Sequence, residues 1–299
     1  SNAGLIANTI YHTLEGCEVD LLQALGTHVP MTEWECSDMY GDIPFEKFIP
    51  HDWRNDVVKL GDMKAAGLKD ELGNVYPVQH TADGAVAYLK NLPSKGYKSF
   101  TVCDAEAVSP FVRADEYHLE TPFYSLTLDE NGHFTSIFDK VSGKEQLKGL
   151  GAVPVVMDEY GFDTWAHAQT YWNKQVGQFM DAEVSTLERG PIRARIKVVS
   201  RYNDSVLTQY FSLCEGDRAL RVDAKLDWHE KHKMLKLRYD TICTEDPHAF
   251  YEIPFGVFER PANGEEEPGQ SWIAVRQGQE GMALINDSKY SYSIQGNSL

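Results

Sequence analysis

Two stretches of this chain carry side chains that could do chemistry. The first is Trp228-His229-Glu230-Lys231-His232. A zinc-binding helix of the His-Glu-x-x-His kind needs histidines four residues apart, so that both face one way with the glutamate between them. Here they are three apart, and the flanking sequence is strand-like. The segment reads as a strand end or connection with solvated charges. The second stretch holds Asp158, Asp163, Trp165, His167, Tyr171 and Trp172. Aromatic faces stack on sugar C–H surfaces and carboxylates accept hydroxyl hydrogen bonds, which suits a carbohydrate pocket. Two carboxylates could also do the acid and base work of a glycosidase. Sequence spacing does not certify their separation in space, so ordinary inter-domain packing stands beside the carbohydrate reading.

The remaining polar clusters carry less. Asp217, Asp223 and Asp227 lie near a strand and its turn and read as solvated. Glu265-Glu266-Glu267, between Gly264 and Pro268-Gly269, reads as a surface loop. Gly-x-Gly-x-x-Gly, Gly-x-Ser-x-Gly and the phosphate-loop pattern are absent. No catalytic residue and no metal ligand is assigned within the chain.

Composition narrows the class. A chain of 299 residues buries roughly three quarters of its unfolded surface, so its cores need no staples. A net charge of −17 argues against a phosphate-backbone partner, because nucleic-acid binding runs on clustered Lys and Arg. No apolar run of membrane-spanning length is present. Cys17, Cys36, Cys103, Cys214 and Cys243 are odd in number and form no Cys-x-x-Cys pair, which favours a reducing compartment, the cytoplasm. Ser1-Asn2-Ala3 reads as an expression-tag remnant.

The elements that must position these residues follow from periodicity. Ile6, Ile10, Leu14, Leu21, Leu22 and Leu25 give a short helical face in the N-terminal segment 4–45. From residue 53 the period becomes two. Strands are expected at 56–60, 76–79, 85–89 and 96–102, with a turn at Leu72-Gly73-Asn74, which together make a small sandwich. Phe123–Leu128 and His133–Phe138 flank Asn131-Gly132, whose positive-φ preference predicts a hairpin. Alternating runs follow at 183–188, 192–201, 205–214 and 218–228, as in half-buried antiparallel strands. The fold class is mainly β: a small β-sandwich over 46–118, then a large antiparallel supersandwich of the galactose-mutarotase-like kind over 119–299.

Several ordered segments resemble the C-terminal region of glycoside hydrolase family 38, the class II α-mannosidases. Ile49-Pro50-His51-Asp52-Trp53-Arg54 resembles the family's Asn-Pro-x-x-Trp-x-Arg, with Ile-Pro replacing Asn-Pro. Asp70 to Gln79 resembles its Asp-x-x-Gly-x-x-x-Pro-x-Gln strand, and Gly96-Tyr97 with Pro93 its Pro-x-x-Gly-Tyr. Asn131, Gly132, Ser136, Ile137, Asp139, Lys140, Gly143 and Glu145 fill the hairpin signature. Trp228, Glu230, His232, Lys233, Leu235 and Lys236 match Trp-x-Glu-x-His-Lys-x-Leu-Lys. Glu252-Ile253-Pro254-Phe255-Gly256 with Arg260-Pro261, then Gln270-x-Trp272 and Gly281 to Tyr290, complete the series.

That resemblance implies a zinc-dependent catalytic domain upstream in the same polypeptide, a mannosyl substrate, and a retaining mechanism in the intact enzyme. No cofactor is expected in this chain. The supersandwich is expected to be cut short at Leu299, since a further strand segment follows in the family. Residues 4–45 match no family element, as a natural deletion, an excised segment or a divergent relative would each explain. Asp163-Thr164-Trp165 is a partial match to an Asp-x-Trp-Asp loop of cytosolic-type relatives, so Asp163 and Trp165 are expected to face the cleft or the carbohydrate. The rival reading is a free-standing carbohydrate-binding sandwich, because fold alone does not settle function.

Overall fold

Strands form where apolar and polar residues alternate and turn residues interrupt them. The computed structural model describes residues 54–93, 97–105, 112–159 and 169–299. The helical pattern of residues 6–25, the Ile49–Trp53 stretch, Gly96, Asp163, Trp165 and His167 lie outside the described residues. The strand ladders are antiparallel throughout. Among the described residues there is no helix, so the mainly-β expectation holds.

The first strands are β1 (Arg54–Lys59), β2 (Gly67–Asp70), β3 (Val75–Pro77), β4 (Gln79–Thr81), β5 (Gly84–Leu92) and β6 (Phe100–Cys103). They make two sheets, β1-β5-β4 and β3-β2-β6. Leu68, Tyr76, Ala87 and Leu89 fill the core between them, with Val58, Leu92 and Phe100 packed alongside. The run 76–79, expected as one strand, is two, and it changes sheet at Val78. Pro77 has no N–H to extend its ladder, and the Val78 N–H turns to the Ala66 carbonyl at 2.9 Å.

Asp70 organises the turn between β2 and β3. Its Oδ1 accepts the N–H groups of Leu72 and Asn74 at 3.0 and 2.9 Å. Its Oδ2 accepts the Asn74 amide and the Tyr76 hydroxyl, both at 3.0 Å, and pairs with Lys98 Nζ at 3.1 Å. The Asn74 amide above all, then the Asn74 N–H, Lys98 and Tyr76, hold this carboxyl below the usual range although burial opposes them.

The larger part begins with β7 (Arg113–Ala114), β8 (His118–Glu120), β9 (Tyr124–Leu128), β10 (Phe134–Asp139) and β11 (Lys144–Glu145), hydrogen-bonded in reverse order as one sheet. Then β12 (Val153–Asp158) pairs with β13 (Gln175–Gln178). A four-stranded sheet of β14 (Met180–Arg189), β15 (Arg193–Tyr202), β16 (Ser205–Cys214) and β17 (Arg221–Asp227) comes next, and β18 (Lys233–Arg238) returns to the free edge of β12. The last strands are β19 (His248–Ile253), β20 (Gly256–Arg260), β21 (Asn263–Pro268), β22 (Trp272–Gln277), β23 (Glu280–Ile285) and β24 (Ser291–Gln295). They form the sheet β20-β19-β22-β23 and the ribbon β21-β24.

One core joins these layers. Leu126, Phe134, Ile196, Phe211, Tyr251 and Ile273 belong to a single buried cluster drawn from three different sheets. Phe134 and Phe211 meet edge-on, with ring centroids 4.7 Å apart. Along β15 the buried residues are Ala194, Ile196, Val198 and Ser200, which is the alternation the sequence shows. β12 departs from it, being buried from Val153 to Met157. Its two faces serve two clusters, one with Met234 and one with Phe179 and Leu207.

The hairpin at Asn131-Gly132 forms, but not as a two-residue turn. Only Gly132 is left-handed, with φ 76°. Asp129 Oδ1 accepts the N–H groups of Asn131 and His133, each at 2.9 Å, so the loop runs from Asp129 to His133. A Cβ on Gly132 would lie 2.3 Å from Val198 Cγ1, which makes glycine necessary for packing as well as for φ.

The two parts are latched by Gln79. Its Oε1 accepts the N–H groups of Ile192 and Arg193 at 2.9 and 2.8 Å, and its Nε2 donates to the Arg193 carbonyl at 2.8 Å. Thus a side chain from β4 completes the backbone hydrogen bonds where β14 turns into β15. Gly190 leaves the room, since a Cβ there would overlap the Gln79 amide carbon at 1.9 Å. Glu188 backs the site, gripping Arg193 with two contacts of 2.7 Å.

Two outcomes follow. Gln79→Ala strands buried backbone groups and should lower stability by about 3 kcal/mol in urea unfolding, whereas Gln79→Glu should restore less than half. For Asp70 the folded pKa lies below the unfolded one, so its stabilisation is present above the ordinary carboxylate range and is lost as pH falls below ~3.9. Asp70→Asn should reduce stability at neutral pH and flatten the acid limb, as denaturant midpoints measured across a pH series will show.

Candidate functional site

The segment with most chemical promise leaves β12 at Asp158 and re-enters the described residues at Gln169. Asp163 and Trp165 fall between these points, so the geometry on view is that of its two ends. At the first end, the Asp158 N–H bonds the Lys174 carbonyl at 2.8 Å and the Glu159 N–H bonds the His232 carbonyl at 2.9 Å. The Asp158 carboxylate also pairs with Lys174 Nζ at 2.7 Å. At the second end, the Glu266 N–H donates to the Thr170 carbonyl at 2.7 Å, and Lys236 Nζ donates to the Trp172 carbonyl at 3.1 Å.

Lys236 is the centre of this arrangement. It faces Val155 across the β12–β18 ladder. Besides Trp172 it donates to Ser293 Oγ at 3.1 Å and pairs with the Glu266 carboxylate. Glu266 in turn accepts Ser291 Oγ at 3.2 Å, and its side chain is only 9 % exposed. The expectation of a solvated surface loop at Glu265–Glu267 is therefore corrected: these residues are in β21. Strand alternation sends neighbouring side chains to opposite faces, and each of Glu266 and Glu267 meets its own cation. Glu267 pairs with Arg260, whose guanidinium lies over the rings of Tyr251 and Phe258 at 5.1 and 5.7 Å.

Trp228–His232 is the connection between β17 and β18, as its sequence suggests. Trp228 stacks on Phe179 at 6.3 Å. Glu230 accepts Asn203 Nδ2 and Lys233 Nζ, each at 3.1 Å, and these contacts, Asn203 first, lower its pKa. His229 pairs with Asp227 at 3.1 Å. His232 has φ 53°, a left-handed residue in a strand connection rather than the second ligand of a helix. Among the described residues no group of three or more His, Cys, Asp or Glu side chains could hold a metal ion.

The acidic residues read as solvated are paired at the surface: Asp217 with Arg221 at 2.9 Å, and Asp223 with Arg195 at 3.0 Å. The hairpin signature also has a structural meaning. Glu145 Oε1 accepts the N–H groups of Ile137, Gln146 and Leu147 at 2.8, 2.9 and 3.0 Å, and Oε2 accepts Ser136 Oγ at 2.6 Å. Burial raises its pKa, but the Ser136 hydroxyl and these N–H groups together outweigh it and leave a net lowering. Lys140 reaches back to Glu120 and to the Thr121 carbonyl.

The chemistry of this arrangement is positioning. Nothing in it sets a general acid opposite a base. It fixes the backbone on both sides of the stretch that carries Asp163 and Trp165, using Lys236 and Glu266, which lie thirty residues apart in sequence. Sequence reasoning named Lys236 only as a motif residue and set Glu266 aside. Lys236→Met should leave a buried carboxylate without its cation and cost about 3 kcal/mol. Lys236→Met combined with Glu266→Gln should recover part of that loss, a coupling that a double-mutant cycle in thermal unfolding will reveal.

Comparison with known proteins adds the following. The family described as "Glycosyl hydrolases family 38 C-terminal domain" matches residues 119–299. Alpha-mannosidase G of Dictyostelium discoideum is 26 % identical over 197 residues, covering 60 % of this chain and 18 % of that protein. Alpha-mannosidase 2C1 of Mus musculus is 29 % identical over 198 residues, again 60 % of this chain, and 19 % of its own length. The chain thus spans less than a fifth of the curated relatives it matches. In three dimensions it resembles a protein in the glycosyl hydrolase family 38 from Enterococcus faecalis, with a TM-score of 0.60 and 11 % identity over 82 % of this chain and 38 % of that one.

Proposed function

The chain belongs to glycosyl hydrolase family 38, whose C-terminal domain it carries over residues 119–299, and from that premise we propose that it is the non-catalytic C-terminal region of an α-mannosidase. Its work is to brace a catalytic domain of the same polypeptide and to present Asp163 and Trp165 toward the mannoside. The observation that carries this reading is the anchoring of both ends of the Asp158–Trp172 segment by motif residues. His232 and Lys236, from the resemblance element that begins at Trp228, hold Glu159 and Trp172.

The zinc that the family resemblance implies has no donor set among the described residues. No step of this chain's chemistry runs through it. Hydrolysis with retention needs a carboxylate nucleophile and a carboxylic acid about 5 Å apart, whereas Asp70, Asp129 and Glu145 are engaged in turns and Glu188, Glu266 and Glu267 in ion pairs. In a cytoplasmic setting the thiols of Cys103, Cys214 and Cys243 stay reduced, in keeping with their free state.

Asp163→Asn with Trp165→Ala, in the longer protein, should lower kcat/KM for a chromogenic α-mannoside about tenfold or more, a change of ~1.4 kcal/mol in transition-state binding. Unchanged kinetics at every substrate concentration would remove the cleft-facing role. The present chain alone should not cleave that substrate, and turnover that survives repurification would overturn its non-catalytic assignment.

A further inference from the structure

A cleft of about 420 Å³ opens beside the Gln79 latch, between the two parts of the fold, within the size range of small-ligand sites. Its apolar wall comes from Pro77, Tyr88 and Pro191. Its polar groups include Lys90, Asn91 and Glu215. Four separate pieces of backbone place them: the turn into β3 and β3 itself, the later part of β5, the turn between β14 and β15, and the residue that follows β16. Glu215 is held there by its own N–H, which donates to the Ile192 carbonyl at 2.7 Å, next to the latch.

The side chains have capacity to spare. Glu215 is half-buried, and burial pushes its carboxyl up while Lys90 pulls it down. The two feel each other's charge, yet no ion pair or side-chain hydrogen bond joins them among the described residues. Lys90 Nζ instead sits over the Tyr88 ring at 5.6 Å from its centre. The result is a donor and an acceptor of opposite charge at separate points around an aromatic and proline surface.

That combination selects a ligand class. A free anion meets Glu215, and after burial it is Glu215, then Asp217 and Asp56, whose negative charge raises the Tyr88 phenol pKa. A divalent cation finds a single carboxylate in the lining, beside an ammonium. A purely apolar ligand leaves both charges desolvated and unpaired, which is costly. A neutral pyranose satisfies every part: ring C–H groups lie on tyrosine and proline, one hydroxyl donates to a carboxylate, and another accepts from an ammonium.

We propose that this cleft between the two β-parts binds a neutral sugar, gripped by Lys90 and Glu215 against Tyr88. The inference goes beyond the mannosidase reading and does not depend on it, because the sugar need not be mannose. Glu215→Gln and Lys90→Met are the informative variants. Neither residue's side chain hydrogen-bonds within the described structure, so both variants should stay folded, Lys90→Met giving up its contact over the Tyr88 ring.

The test is saturation-transfer NMR with isothermal titration of this chain, against methyl α-mannoside and a panel of other methyl glycosides, with phenol and n-butylamine as non-sugar probes. Saturable millimolar binding of at least one glycoside, weakened about tenfold by each variant, is the expected result. Three results would overturn it. No glycoside binds; only phenol or butylamine binds; or a glycoside binds both variants as tightly as the wild-type chain, including the case where Asp163→Asn abolishes that binding.

Discussion

The constraint on which the rest depends is the need to satisfy buried backbone groups where the β14–β15 turn meets the strand β4. Sheets end in turns, and turns leave N–H and C=O groups unpaired. Where β14 turns into β15 the neighbouring part of the protein covers those groups, so water is no longer their partner. Gln79 takes its place, with one carboxamide meeting two N–H groups and one carbonyl. Few side chains offer an acceptor and a donor on one rigid plane, which is the reason a glutamine stands there. Gly190 and the Glu188–Arg193 pair exist around it, one to leave space and the other to hold the receiving strand.

The same economy recurs in the other motif residues. Asp70, Asp129 and Glu145 each use a carboxylate to collect backbone N–H groups at a turn. Charge-assisted bonds of this sort are stronger than neutral ones, and each is set within a few residues of chain. These three carboxylates are thereby occupied by structure. Lys236 and Glu266 extend the device over a longer distance, tying the edge of one sheet to the β21–β24 ribbon and to the carbonyls of the segment between them.

This has a consequence for how such a region can serve catalysis. A surface built from turns with satisfied backbone groups is stiff, and a stiff surface can hold a loop against a neighbouring active site without sharing in bond breaking. The family match covers residues 119–299, and the matched region is less than a fifth of the mannosidases it resembles. The cleft beside the latch belongs to the same junction, lined from both parts of the fold.

Much of the architecture was legible in the residues. The long strands β15 and β16 declare themselves by alternation, because residues buried in the core alternate with more exposed ones along them. The hairpin was legible from Asn131-Gly132, although the loop is longer than that pair implies, since Asp129 draws two further N–H groups into it. β12 gave no such signal: buried on both faces, its Val153–Met157 run has no period to read. The tail from β19 onward was marked by motif resemblance rather than by pattern. Sequence order alone determined the class of fold, the turns whose side chains act on near neighbours, and the lack of any local metal or nucleophile motif. Only the tertiary structure decided that Gln79 reaches Ile192, that Lys236 neutralises Glu266, and that Lys90 stands across from Glu215. Those pairings join residues far apart in the chain, and nothing but the closing of one sheet on another brings them within reach.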